Sequence, residues 1–105
     1  MKLLPIDIRA QLPPLYSQDG KKDATVIVKF FDPTGAATFY ATEFDGEDLF
    51  FGFVDMGDPT QAEEGYFSLK ELESMQLEFG LGIERDLYFS QRPLSKVIEE
   101  TKARI

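Results

Sequence analysis

The side chains whose types and spacing could do chemistry are almost all carboxylates. Asp45, Glu47 and Asp48 gather around Gly46, and hard cations such as Mg and Ca take oxygen ligands of this kind. An EF-hand, however, needs a longer loop with ligands at set positions and a closing Glu, which this DGED stretch lacks. A hairpin turn explains it better. Glu84 and Asp86 flank Arg85; on a strand the two carboxylates share one face and Arg85 takes the other. They offer acid–base work or a structural ion pair, with Arg85 held by a carboxylate elsewhere. The absence of an accompanying nucleophile or metal motif favours the structural reading. Gly80 and Gly82 in FGLG lack the Lys-Ser or Lys-Thr and the strand-to-helix setting of a phosphate loop. The chain contains no His and no Cys. That excludes the commonest base near neutral pH, His-dependent triads, thiol nucleophiles, disulfides and Cys-type zinc sites. The expectation is a non-catalytic protein with no cofactor and no metal.

The carboxylates are unevenly distributed, and this is the stronger signal. Between Glu43 and Glu84 twelve acidic residues face Lys70 alone, a net −11, whereas residues 1–42 carry +1 and residues 85–105 carry +2 of the formal −8. Such a field opposes binding to nucleic-acid phosphates, which is driven by Lys and Arg, and attracts a basic partner. The alternative is that the charge serves solubility. The candidate partner-binding residues are Glu43, Asp45, Glu47, Asp48, Asp55, Asp58, Glu63 and Glu64, facing a basic protein, with no direct nucleic-acid contact and no membrane. Tyr16, Tyr40, Tyr66 and Tyr88 are further candidates for an interface, each combining an aromatic body with a polar tip.

The elements that must position these groups fit one domain, since 105 residues with 43% hydrophobic content, ten Phe and four Tyr can fill one core. Pro5 to Leu12 predicts a short helix docked by Leu4 or Ile6, Ile8 and Leu12 and stopped by Pro13 and Pro14. Ser17 to Asp23 reads as an exposed loop. Thr25 to Phe31, Thr38 to Phe44 and Leu49 to Asp55 predict three strands of an antiparallel meander. The second alternates Phe39, Ala41 and Glu43 against Thr38, Tyr40, Thr42 and Phe44, and Gly52 in the third signals a bulge or a close backbone approach. The doublets Phe30-Phe31, Phe50-Phe51, Tyr66-Phe67 and Tyr88-Phe89 put an aromatic on each sheet face. Met56 to Gly65 reads as a surface loop. Ser68 to Glu71 forms a capping box for a helix reaching about Met75 and burying Leu69 and Leu72. A fourth strand is expected near Asp86 to Phe89, and Pro93 opens a last helix carrying Leu94, Val97, Ile98 and Thr101. The fold class is α+β: a small antiparallel sheet of three to four strands packed with short helices, including N- and C-terminal ones. Pro5, Asp7 and Arg9 interrupt any signal-peptide core, and no apolar run approaches the roughly 20 residues of a membrane helix, so the expected location is the cytoplasm.

The segments MKLLPIDIRAQLPPLYS, VIVKFFDP, FYATEF, LFFGFV, GYFSLKELES and FGLGIERDLYF occur in an order and spacing that resembles the bacterial family catalogued as domain of unknown function 2958. The resemblance runs from Met1 to about Val97. It implies an accessory role in plasmids, integrative elements and phages, and carries no catalytic residues over to this sequence. Mobile elements often encode small acidic proteins that occupy the nucleic-acid groove of a defence enzyme. The resemblance and the −11 segment therefore point to an inhibitor of a host defence system, of anti-restriction or anti-CRISPR type, acting as a nucleic-acid mimic. The alternative is a structural or regulatory adaptor that docks through its aromatic sheet face, and a third reading is an enzyme using Glu84, Arg85 and Asp86.

Overall fold

The β-branched and aromatic runs seen in the sequence do form strands, but the run expected as one strand over Thr25 to Phe31 is divided at Ile27 into Thr25–Val26 and Val28–Phe31, which join different sheets. The computed structural model describes residues 2–19 and 23–105; of the expected loop Ser17 to Asp23, residues 20–22 lie outside the described part. The elements in chain order are α1 (Ile6–Arg9), β1 (Thr25–Val26), β2 (Val28–Phe31), β3 (Thr38–Phe44), β4 (Leu49–Asp55), β5 (Glu63–Ser68), α2 (Leu69–Ser74), β6 (Glu84–Arg85), β7 (Arg92–Pro93) and α3 (Leu94–Lys102). Short 3-10 turns occupy Pro59–Gln61 and Glu78–Gly80. The main sheet has five strands in the order β5-β4-β3-β2-β6, every neighbouring pair antiparallel. β1 and β7 form a separate antiparallel pair. The mixed α and β composition with an antiparallel sheet agrees with expectation; the sheet is larger than the three to four strands expected.

The additional strand comes from Glu63–Ser68, whose first three residues the sequence reading assigned to the Met56 to Gly65 loop. EEGYFS opens with two charged residues and a glycine, and only Phe67 in it is buried, so the apolar alternation that announces a half-buried strand is missing. The expected strand at Asp86 to Phe89 also shifts: pairing with β2 covers Glu84 and Arg85. It stops there because the Asp86 carboxylate accepts the Tyr88 N–H at 2.9 Å and bends the chain into an Asx turn. The N-terminal helix is one turn shorter than expected at its C-terminal end, and Leu3 and Leu4 are buried while Ile6 is 82% exposed. In α2 the Ser68 hydroxyl accepts the Glu71 N–H at 3.2 Å, one half of the expected capping box; among the described residues the Glu71 carboxylate does not return a bond to the Ser68 N–H. α3 buries Leu94, Val97 and Thr101 at helical spacing.

Both faces of the sheet are covered. Val28, Phe30, Phe39, Ala41, Phe44, Phe50 and Phe67 face Leu3, Leu4, Leu72 and Ile83. Phe50 is central, with ring centroids 4.6 Å from Phe44, 5.1 Å from Phe67 and 5.5 Å from Phe30. On the opposite face α3 lays Leu94 and Val97 on Phe53 and Val26, flanked by Tyr40, Phe89 and Ile98. No helix among the described residues is long and apolar enough to cross a membrane.

A bulge in β3 decides which residues reach which face. The register with β4 runs Tyr40 to Phe53 and Ala41 to Gly52, then skips to Glu43 with Phe51 and Phe44 with Phe50. Thr42 is the extra residue, its hydroxyl donating to the Phe51 carbonyl at 3.0 Å. Simple alternation would group Glu43 with Phe39 and Ala41; the extra residue reverses the faces beyond it, so Phe44 enters the aromatic core and Glu43 turns to the α3 side. Gly52 sits opposite the bulge, where an added Cβ would lie 1.7 Å from the Tyr40 carbonyl oxygen. Both readings offered for this glycine therefore hold, a neighbouring bulge and a close backbone approach. Gly52→Ala is expected to destabilise the protein by more than about 3 kcal/mol, whereas Gly65→Ala, with open space at the corresponding point, should change stability by under about 1 kcal/mol. Urea unfolding of the two variants beside the parent checks the contrast.

Candidate partner-binding site

The carboxylate that the bulge turns toward α3 organises the surface around it. Glu43 is buried, and its two oxygens accept the Tyr16 N–H at 3.1 Å and the Gln18 N–H at 2.8 Å. The Phe44 N–H donates to the Pro13 carbonyl at 2.9 Å, so two consecutive residues of β3 hold the segment from Pro13 to Gln18. Tyr16 takes φ 67 there, a conformation that costs free energy for a non-glycine residue and persists where its surroundings impose it. The neighbouring Tyr16 side chain raises the pKa of the Tyr66 phenol.

Between this segment, the sheet and the start of α3 lies a hollow of about 430 Å³. Four carboxylates line it, those of Asp19, Asp23, Glu43 and Glu64, with Phe51 and Thr42 from the sheet and Ile98 from α3 among the other walls. Asp23 accepts the Ser95 N–H at 3.0 Å and also the Ser95 hydroxyl. These bonds, the hydroxyl first, hold its carboxyl below the usual range. The same contacts anchor the first turn of α3. Asp19 and Asp23 were absent from the expected set because they lie in the polar stretch read as a loop; nothing in the sequence signals that the Gln18 amide and these two carboxylates stand beside Glu43.

The eight candidate residues divide by what their carboxylates already do. Glu43 and Asp55 are buried and are corrected out of a partner-facing surface. Asp55 accepts the Gly57 N–H at 2.9 Å and an Arg104 guanidinium N–H, so both of its oxygens are engaged inside the fold. Asp45 receives the N–H groups of Glu47 and Asp48 at 2.8 Å and of Leu49 at 3.0 Å, the hairpin-turn role expected of DGED. Asp48 receives the Ser68 hydroxyl at 2.7 Å and the Lys70 N–H at 2.8 Å, bracing the start of α2. Asp58 receives the Thr60 hydroxyl and N–H. Hydrogen bonds to the charged form, from the Asp48 N–H for Asp45, the Ser68 hydroxyl for Asp48 and the Thr60 hydroxyl for Asp58, lower all three pKa values. Glu47, Glu63 and Glu64 are exposed, and their carboxylates form no hydrogen bond or ion pair among the described residues. β5 places Glu63 and Glu64 on the sheet edge beside Val54 and Phe53, whereas Glu47 stands in the β3–β4 turn at the other end of β4. Lys29, Arg92 and Arg104 are paired with Asp86, Glu100 and Asp55 on the side of β2 and α3.

The other sequence candidates have structural neighbours. Arg85 donates from Nη1 to the carbonyls of Lys2 at 2.7 Å and Leu3 at 3.2 Å, tying the N-terminal segment to β6. Asp86 lies 3.5 Å from the Lys29 ammonium. In FGLG, Phe79 has φ 61 and is 88% exposed. Tyr88, Tyr16 and Tyr66 are exposed, whereas Tyr40 is half-buried against Phe53 and Phe89, and its burial raises the phenol pKa. No group of His, Cys, Asp and Glu among the described residues is arranged to hold a metal ion.

A family model described as protein of unknown function, DUF2958, matches residues 3–104, and the chain belongs to that family. Neither the curated proteins nor the solved structures yield a match.

Two outcomes follow from this geometry. Glu43→Ala removes a buried acceptor of two amides and is expected to cost about 2 to 4 kcal/mol. Hydrogen exchange should show the Tyr16 and Gln18 amides losing protection beyond what the sheet loses. The second concerns pH. Asp23, Asp45, Asp48, Asp58 and Glu100 all have folded pKa values below their ordinary ones, so the unfolded chain binds more protons in acid. Their contribution is full above the ordinary carboxylate range near about pH 4 and is lost as pH falls through the lower folded values. Denaturant midpoints should hold level from neutrality to about pH 5 and fall steeply below about pH 4, with Asp45→Asn flattening that fall.

Proposed function

We propose that this member of the DUF2958 family acts without catalysis, by stoichiometric binding of a basic protein, as an inhibitor of a nucleic-acid-handling defence enzyme. The observation that carries the reading is the acidic start of β5: Glu63 and Glu64 reach solvent with carboxylates that have no partner among the described residues, Glu64 lining a hollow it shares with Asp19, Asp23 and Glu43, while Glu47 stands likewise without a described partner in the β3–β4 turn. Carboxylates that cap turns and helix starts have a structural reason to be there; these three have no such role among the described residues. A surface of this kind repels phosphate backbones and accelerates encounter with a Lys- and Arg-lined groove. The hollow suits the end of a cationic side chain, because its walls pair an aromatic ring with several carboxylates. The mobile-element setting implied by the family supports a defence enzyme as the owner of that groove. This is the nucleic-acid-mimic version of the reading, with its contact set revised to Asp19, Asp23, Glu47, Glu63 and Glu64.

The adaptor reading keeps one specific observation in its favour, the bare aromatic and aliphatic side chains of Phe79, Leu87 and Tyr88, at 88%, 61% and 94% exposure. An adaptor would use these and be indifferent to salt. Affinity capture from host lysate, at low salt and at about 1 M salt, separates the two. Capture of a nuclease or other nucleic-acid-binding protein at low salt, released at high salt and weakened at least about tenfold by a Glu47→Gln/Glu63→Gln/Glu64→Gln variant, is the expected result. A partner that survives high salt and is lost with Phe79→Ser or Tyr88→Ser overturns it in favour of the adaptor.

A further inference from the structure

β5 is one edge of the five-stranded sheet, and apart from the charges of Glu63 and Glu64 its free side lacks the devices by which edges are usually closed. Natural edges are kept short, bulged, or studded with Lys and Pro. The opposite edge follows that rule, since β6 is only two residues long. β5 runs for six residues, pairs with β4 in unbroken register from Leu49 with Ser68 to Val54 with Glu63, and contains neither Lys nor Pro. Among the described residues, no backbone hydrogen bond joins residues 63–68 to anything beyond that ladder. Alternate N–H and C=O groups of an edge strand point outward, so a row of them faces solvent here. The strand is also firmly backed. Tyr66 lies edge-on against Phe51 with centroids 5.0 Å apart, Phe67 packs on Phe50, and Gly65 has open space where a side chain would stand. The edge is a template held rigid from behind.

We infer that the β5 edge accepts an extended, Lys- or Arg-bearing segment of the partner protein as a sixth strand of the sheet. The inference rests on the basic-partner reading above and specifies how that partner docks. Main-chain hydrogen bonds to residues 63–68 supply affinity, and alternate side chains of the incoming strand supply specificity. Charge selects the occupant. Glu63 and Glu64 point to opposite faces at the start of β5, so an incoming strand meets a carboxylate whichever of its faces carries the basic residues. Lys or Arg there forms favourable cross-strand pairs. A second copy is disfavoured, because it would set one chain of charge −8 against another.

The test titrates the isotope-labelled full chain with a capped peptide of about eight alternating Lys and Thr residues, and with the same peptide N-methylated at alternate amides. N-methylation keeps the charge and removes strand pairing. The expected result is amide shifts and slowed exchange centred on residues 63–68, at least about tenfold weaker binding of the N-methylated peptide, and a similar loss for Glu63→Lys/Glu64→Lys. Thermal melting of that variant should match the parent, since both positions are exposed. Equal binding of the two peptides overturns strand addition and leaves simple charge attraction, so the basic-partner reading survives. No perturbation of residues 63–68 by either peptide at millimolar concentration overturns it as well; a salt-released partner in the capture experiment then still upholds the broader reading, and its absence removes both. Concentration-dependent dimerisation through β5 that the peptide does not displace assigns the edge to a second copy instead.

Discussion

A buried carboxylate holding two backbone amides is the constraint on which the surface of this protein depends. Glu43 reaches the α3 side of the sheet only because Thr42 is extruded as a bulge, and the bulge fits only because Gly52 lets the Tyr40 carbonyl approach. Once there, a carboxylate removed from water must be satisfied. The amides of Tyr16 and Gln18 do this, and the Pro13 to Gln18 segment is fixed in place as a consequence. That segment forms a wall of the acidic hollow. One extra residue in β3 thus links core packing, through Phe44, to the shape of the surface, through Glu43.

The same logic separates structural acids from those left over. In a chain with 19 acidic residues against 11 basic ones, the acidic surplus leaves many carboxylates without a cationic partner of their own. Several are used instead as acceptors for backbone N–H groups: Asp45 in the hairpin, Asp48 at the start of α2, Asp58 before its 3-10 turn and Asp23 at the start of α3. Each such bond stabilises the charged form and fixes a connection, which explains how a strongly acidic chain keeps well-defined turns. Self-repulsion is least relieved where no amide is offered to neighbouring carboxylates, as at the adjacent Glu63 and Glu64. A nearby cationic surface relieves that repulsion.

Much of the fold was legible because its elements carry their own local signals. TVIVKFF, TFYATEF and LFFGFVD have the composition of strands, SLKE caps a helix through Ser68, and Leu94, Val97 and Thr101 mark the buried stripe of α3. What escaped was set by neighbours. EEGYFS forms a strand because β4 offers it an edge, not because of its own pattern, and the Asp86 turn displaces the pairing of β6 by two residues. The bulge at Thr42 reversed the faces assigned to Glu43 and Phe44, an inversion invisible to a period of two. The acidic character of the middle segment was evident from residue counts, but its division into capping, buried and solvent-facing carboxylates is geometric. Glu43 and Asp55 read as surface acids until their amide and guanidinium partners are located; Asp19 and Asp23 read as loop residues until each is seen to line the hollow beside β3 and α3.

The two edges of the main sheet also show how sequence charge and backbone geometry combine. At β6 a short pairing, the Arg85 bonds to the N-terminal carbonyls and the Lys29–Asp86 pair close the edge with the chain's own groups. At β5 the backbone is left open for six residues, and the charge there is of one sign. Negative side chains on an open edge discourage pairing with another copy of the same acidic chain while leaving the backbone available to a positively charged one. An open edge without charge would invite aggregation, and charge on a closed edge would serve solubility alone. Their coincidence on β5 makes the edge selective, because the backbone provides the attraction common to all strands and the carboxylates restrict which strands can approach.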